Sequence, residues 1–132
     1  MTIDLYWADE NQTAIVIQPV GKWNWETLYN VVEEARHMLD MAGGSQKIHT
    51  IVDWSKNASY PADTIVHGRS LLNKQHPRQG MYVFVGFNSI VNGMYQLFTQ
   101  VNNKTLKNFT PISARTLDEA MVKLAGLSRP GE

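Results

Sequence analysis

The sequence predicts an α/β fold: a single domain on a mixed, mostly parallel sheet of four to five strands with about four helices. Three observations carry this reading. Short β-branched segments alternate along the chain with longer stretches whose apolar residues recur at helical spacing. The 132 residues suit one domain of ordinary size, and burial of roughly 65–70% of the unfolded surface gives such a domain a core of its own. Hydrophobic residues make up 43% and charged residues 18%, a globular balance rather than a disordered one.

Ile3-Asp4-Leu5-Tyr6-Trp7 alternates loosely, Asp9-Glu10-Asn11-Gln12 supplies a polar turn, and Thr13 to Gly21 follows as a β-branched strand. Together they read as a hairpin, and Pro19 places its strand at an edge or near a strand end. Asn24 can cap a helix by accepting from first-turn amides. Leu28, Val31, Val32, Ala35, Leu39 and Ala42 then form one apolar stripe, and Gly43-Gly44 marks the stop. Ile48 to Asp53 reads as an interior strand, and Trp54 to Pro61 as a polar loop. A second helix is expected from about Ala62 to Asn73. Met81 to Gly86 has the unbroken apolar run of a strand covered on both faces. Asn88 or Ser89 caps a third helix with Ile90, Met94, Leu97, Phe98 and Val101 inward. Phe109 to Ser113 is a last strand, interrupted by Pro111 and so near an edge. Thr116-Leu117-Asp118-Glu119 has capping-box spacing and opens a closing helix. The domain spans residues 1–127, and 128–132 is a frayed tail. Alternation of strands with helices argues for parallel pairing through right-handed crossovers, with only the first hairpin antiparallel.

This order of elements resembles the STAS domain family, which includes bacterial anti-sigma-factor antagonists. The likeness runs from about Thr13 to Leu124. It rests on the strand ending at Gly21, the long first helix, Ile51-Val52-Asp53-Trp54-Ser55, Met81 to Gly86, and Ile112-Ser113 followed by Thr116 to Ala120. The resemblance implies a non-catalytic regulatory domain in bacterial signalling, and the absence of cysteines, signal-like N-terminus and membrane-length apolar run leads to the expectation of a cytoplasmic one. The resemblance also implies a kinase-like partner that phosphorylates a serine in an Asp-Ser-Ser-Gly-like motif opening the second helix. Here the comparable residues are Asp63-Thr64-Ile65-Val66, with Ile65 in the place of the phosphorylated serine. The chain is thus a divergent member in this reading, and the departure tells against the usual phosphoswitch.

Charge and composition narrow the function classes. Residues 1–55 hold eight acids and three bases, and residues 56–115 hold seven bases and one acid. A basic middle could meet an acidic protein or a phosphate, or be no more than solvated side chains. Without an Arg/Lys run or a nucleic-acid signature, no nucleic-acid partner is expected. Zero cysteines exclude disulfides, thiolate zinc sites and thiol catalysis. No signal-like N-terminus and no apolar run of about 20 residues occurs, so stable membrane insertion is not expected.

Hydroxyls supply the candidate chemistry. Phosphate at a helix N-terminus gains from free amides and the helix dipole, which makes Thr64, Ser59 and Ser55 phosphoacceptor candidates. The competing assignment makes Ser59 or Asp63 a helix cap and Ser55 a turn residue. Asp63 and His67, four apart, could polarise a base or form a solvated helix pair. No P-loop, nucleophile elbow, dinucleotide glycine pattern or close metal spacing occurs, so no enzyme activity, cofactor or metal is expected. Asp53, Trp54, Asn57, Tyr60, Asp63 and Tyr95 are the candidate partner- or ligand-binding residues. In a parallel sheet the carboxyl end of the strand ending at Asp53 faces the usual ligand crevice, where Trp54 and Tyr60 could line a pocket or partner surface, or pack in the core. The expectation is a protein-interaction domain acting through the loop after Asp53 and the start of the second helix. The alternative is a carrier of a small apolar ligand or nucleotide. A homodimer would follow from exposed aromatics around Trp23 and Trp25.

Overall fold

A computed structural model describes residues 2–56, 76–86 and 112–127. The chain forms β1 (Thr2–Trp7), β2 (Ala14–Val20), α1 (Trp25–Met41), β3 (Ile48–Asp53), β4 (Gln79–Val85), β5 (Ile112–Ala114) and α2 (Leu117–Leu127). The five strands make one mixed sheet in the order β1-β2-β3-β4-β5. β1 is antiparallel to β2, and the remaining pairs are parallel. The α/β class therefore stands, and among the described residues the first hairpin is the one antiparallel pair, as the alternation of elements implies. The expected second and third helices, 62–73 and the stripe from Ile90 to Val101, lie outside the described residues.

Period-two alternation sorts the sheet into two buried layers. Ile15, Ile17, Ile48 and Phe84 face α1, whose buried stripe is Leu28, Val31, Ala35 and Leu39. Ala14, Val16, Ile51, Val83 and Val85 face the other way, toward Ala120 and Leu124 of α2. Ile15, Val16, Ile48, Ile51, Val83 and Val85 are essentially sealed from solvent, each worth about 1.5–3 kcal/mol relative to exposure before entropy is subtracted. Pro19 sits in an interior strand, but β2 pairs with β3 only as far as Ile17. The proline thus falls beyond the ladder it would interrupt.

Local chemistry explains most boundaries. Asp9 closes the β1–β2 turn by accepting from the Thr13 amide at 2.9 Å and its hydroxyl at 2.6 Å. Asn24 caps α1, taking the Thr27 amide at 2.8 Å. At α2, Thr116 Oγ1 accepts from the Glu119 amide, while the Glu119 carboxylate reaches back to the Arg115 amide, one residue earlier than a capping box would place it. Between Ile48 and Thr50 the β3–β4 register slips by one residue. There His49 Nδ1 accepts the Met81 amide at 2.9 Å, and burial holds the imidazole below its ordinary pKa.

α1 stops just before the expected glycine pair, and Gly44 has a positive φ of 74°. The helix finishes at Met41 with an extended Ala42, and Arg78 caps this end from outside the helix. Its guanidinium reaches Leu39 O, Ala42 O, Gly43 O and Gln46 O at 2.8–3.3 Å. It both satisfies carbonyls that helix termini leave orphaned and puts positive charge at the negative end of the dipole. His76 reinforces the junction: Nε2 meets Asp40 at 2.5 Å, and Nδ1 accepts the Arg78 amide. That bond holds the Asp40 carboxyl below its usual range. Replacing Arg78 with Ala is expected to cost about 2 kcal/mol in urea unfolding, and Arg78→Lys should recover only part of it because a point charge cannot span four carbonyls.

Tyr82 gives the fold an alkaline signature. Burial pushes its phenol up to about 12, against the opposing field of Arg36. The unfolded chain releases this proton near pH 10, so stability is complete below that pH and falls as pH rises toward 12. A tyrosinate absorbance titration of the folded protein should show one phenol ionising about two units late. The same phenol should ionise normally in denaturant.

Candidate functional site

The carboxyl ends of β2, β3 and β4 meet at the turn Trp54–Lys56. The Trp54 amide continues the ladder to Val85 O at 2.9 Å, and Lys56 O accepts the Gly21 amide at 2.9 Å. On the other side Gly86 lies so close that a Cβ there would fall 2.7 Å from the Ser55 nitrogen and 2.8 Å from its Cα. Gly21 and Gly86 both have positive φ, 67° and 84°, a conformation open to glycine at little cost. The turn is clamped between two strand ends.

Alternation sends successive side chains of this turn to different places. Asp53 points toward the α2 face and is 5% exposed. Its Oδ2 accepts from Gln18 Nε2 at 2.7 Å and its Oδ1 from the Ser55 amide at 3.0 Å. Both oxygens of this buried side chain are thus satisfied. Its negative charge, together with Asp4, adds to burial in raising the Tyr6 phenol. Trp54 goes to the opposite face and is also 5% exposed. Its ring centroid lies 6.1 Å from Trp23 and 6.2 Å from Phe84. Of the two roles open to Trp54 the structure gives it the core one. Ser55 and Lys56 stay exposed. The clamp thus offers a hydroxyl and an ammonium on a fixed backbone, with the carboxylate below committed to Gln18 and to the Ser55 amide.

Asn57, Ser59, Tyr60, Asp63, Thr64 and Tyr95 lie outside the described residues, as does His67. The sheet order also bears on the expected crevice. Ligand crevices in open α/β sheets form where the strand order reverses, and β2 to β5 follow one another without a reversal. Among the described residues the strand order therefore supplies no switch point beside Asp53. The aromatic pair behind the expected homodimer is no exposed patch: Trp23 is buried, and Trp25 packs edge-on against it at 4.9 Å.

Sequence reasoning missed Gln18 and Gly86. Gln18 had a signal, being the one polar side chain within the apolar run Ala14 to Val20. Gly86 had none, since its need arises from a neighbour thirty-one positions away in sequence. Among the described residues no group of three His, Asp or Glu side chains could hold a metal ion, and no helix is long and apolar enough to cross a membrane. No protein-family model matches the chain, and no curated protein shows significant similarity to it.

Proposed function

We propose that this chain is a divergent STAS-like regulatory domain that acts without catalysis, by binding a protein partner through the rim after Asp53. The observation that carries the reading is the clamped turn: Ser55 and Lys56 are presented to solvent while Asp53 and Trp54 on either side of the sheet hold their backbone in place. Such an arrangement suits recognition better than chemistry. Both Asp53 oxygens already accept hydrogen bonds, and neither takes the Ser55 hydroxyl. The hairpin-first mixed sheet and the basic stretch from Lys56 onward support the same reading. Ser55 is then the phosphoacceptor candidate with a defined setting, and a phosphate there adds about −1.5 to −2 charges beside Lys56. Trp54 packs in the core between Trp23 and Phe84, which does not favour it as the wall of a ligand pocket.

The test places a photo-crosslinking amino acid at Lys56 in the source cells and identifies the captured protein. Binding of the purified partner is then measured for the unmodified chain, Ser55→Asp and Lys56→Glu. A micromolar or tighter complex, weakened at least about tenfold by either change, supports the reading. A rim that captures nothing, or a complex indifferent to both changes, overturns it. Intact-mass analysis with a cognate kinase then reports whether Ser55, Ser59 or Thr64 takes phosphate.

A further inference from the structure

The outer edge of β1 is laid out differently from the rim. Ala8 donates to Ala14 O at 2.9 Å, in the register that pairs Thr2 with Val20, Asp4 with Gln18 and Tyr6 with Val16. Bonded and non-bonded positions alternate along an antiparallel pair. The even-numbered residues of β1 therefore bond to β2, and Ile3, Leu5 and Trp7 turn their amides and carbonyls outward. Pro19 opposite Ile3 has the matching phase, for it has no N–H to offer. β1 ends the five-stranded sheet, and among the described residues no strand covers that side.

Natural sheet edges are blunted by lysine, proline, bulges or brevity. β1 has six residues, no lysine, no proline and an unbroken register. Ile3, Leu5 and Trp7 are half-buried on the α1 side of the sheet. There an open groove of about 520 Å³ runs between β1 and α1, lined by Leu5, Glu33, Glu34, His37 and Met38. Leu5 and Met38 make its apolar floor. Met41, one turn beyond Met38, is 72% exposed, and Glu33 and Glu34 stand exposed beside the groove.

We propose that β1 and this groove form a docking site for an extended segment of a partner protein carrying both apolar and basic side chains, added as a sixth strand. Its backbone bonds to Ile3, Leu5 and Trp7 give affinity, and its alternate side chains give specificity. An apolar residue enters the groove over Leu5 and Met38, and a Lys or Arg two positions along meets Glu33 and Glu34. Charge decides between this occupant and a second copy. Two β1 edges joined about a two-fold axis would set the Glu33 and Glu34 flanks of both α1 helices against each other, whereas a basic strand is complementary. The surface is separate from the Trp54–Lys56 rim, so either proposal can fail without the other.

The test selects a random short-peptide display library against the intact chain and synthesises the enriched peptide. Enriched sequences should place apolar and basic residues two apart. The bound peptide should slow amide hydrogen exchange at Ile3, Leu5 and Trp7. N-methylation of alternate peptide amides should abolish binding, and the double variant Glu33→Lys, Glu34→Lys should weaken it roughly tenfold. Enrichment of sequences without basic residues, protection elsewhere, or indifference to N-methylation or charge reversal overturns the proposal. So does a dimer by light scattering in which those three amides are already protected, which would assign the edge to a second copy.

Discussion

Replacing Trp54 with Ala is expected to lower the unfolding free energy by about 4 kcal/mol, the middle of the range for emptying a large aromatic site. Ser55→Ala, one residue on, should change it by less than about 0.5 kcal/mol. The contrast follows from alternation at the end of β3. Trp54 packs between Trp23 and Phe84 beneath α1, where its removal leaves a hole bounded by rings that cannot all close in. The Ser55 side chain is exposed, and the bond that fixes this residue is made by its backbone amide to Asp53, which alanine keeps. Trp54→Phe should recover most of the loss, since one ring still meets both neighbours. Urea unfolding followed by circular dichroism measures all three. A Trp54→Ala loss near 1 kcal/mol would show that the indole is not part of the core and would return it to the surface role. For the rim proposal the pair is informative: partner binding should track Ser55 and Lys56 at constant stability, while changes at Trp54 act through the fold.

How much of this was legible in the sequence depends on the range of the interaction. The strands were readable because β-branched residues at Ile15 to Ile17 and Ile48 to Val52 and the apolar run at Val83 to Val85 state their own burial. Asn24 was readable as a cap because capping acts over three residues. Gly43-Gly44 marked where α1 stops, but not the distant group that caps it. Arg78 reaches four carbonyls from the residue just before β4, and no spacing rule marks a residue thirty-odd positions away. The same holds at the site. Asp53 and Ser55 belong to a local turn and could be singled out, but Gln18 meets Asp53 over thirty-five positions. Trp54 was ambiguous for a further reason: an aromatic at a strand end is equally compatible with either face until register is known. The outward phase of Ile3, Leu5 and Trp7 likewise depends on pairing, which one strand's sequence does not contain.

Gly86→Ala should be the most damaging single-methyl change at the rim, at about 3 kcal/mol, while Gly21→Ala should cost about 1 kcal/mol. Both positions have positive φ, so each alanine carries the strain of the left-handed region. They differ in what a Cβ would meet. Among the described residues nothing lies within 4 Å of a Cβ at Gly21, so strain is the effect there. At Gly86 the new methyl would press on the backbone nitrogen and Cα of Ser55 at 2.7 and 2.8 Å. Backbone cannot step aside as a side-chain end can. The Trp54 amide bond to Val85 ties the turn to β4, and the Gly86 amide bond to Ala114 ties the end of β4 to β5, so neither side of the contact is loose. Relief therefore requires moving the turn, and the turn carries Ser55 and Lys56. If the rim binds a partner, Gly86→Ala should weaken that complex even under conditions where the variant remains fully folded, and Gly21→Ala should weaken it far less. Measured stabilities that are equal for the two variants would mean that Ser55 has room to retreat, and the clamp would lose its rigidity as an explanation for the site.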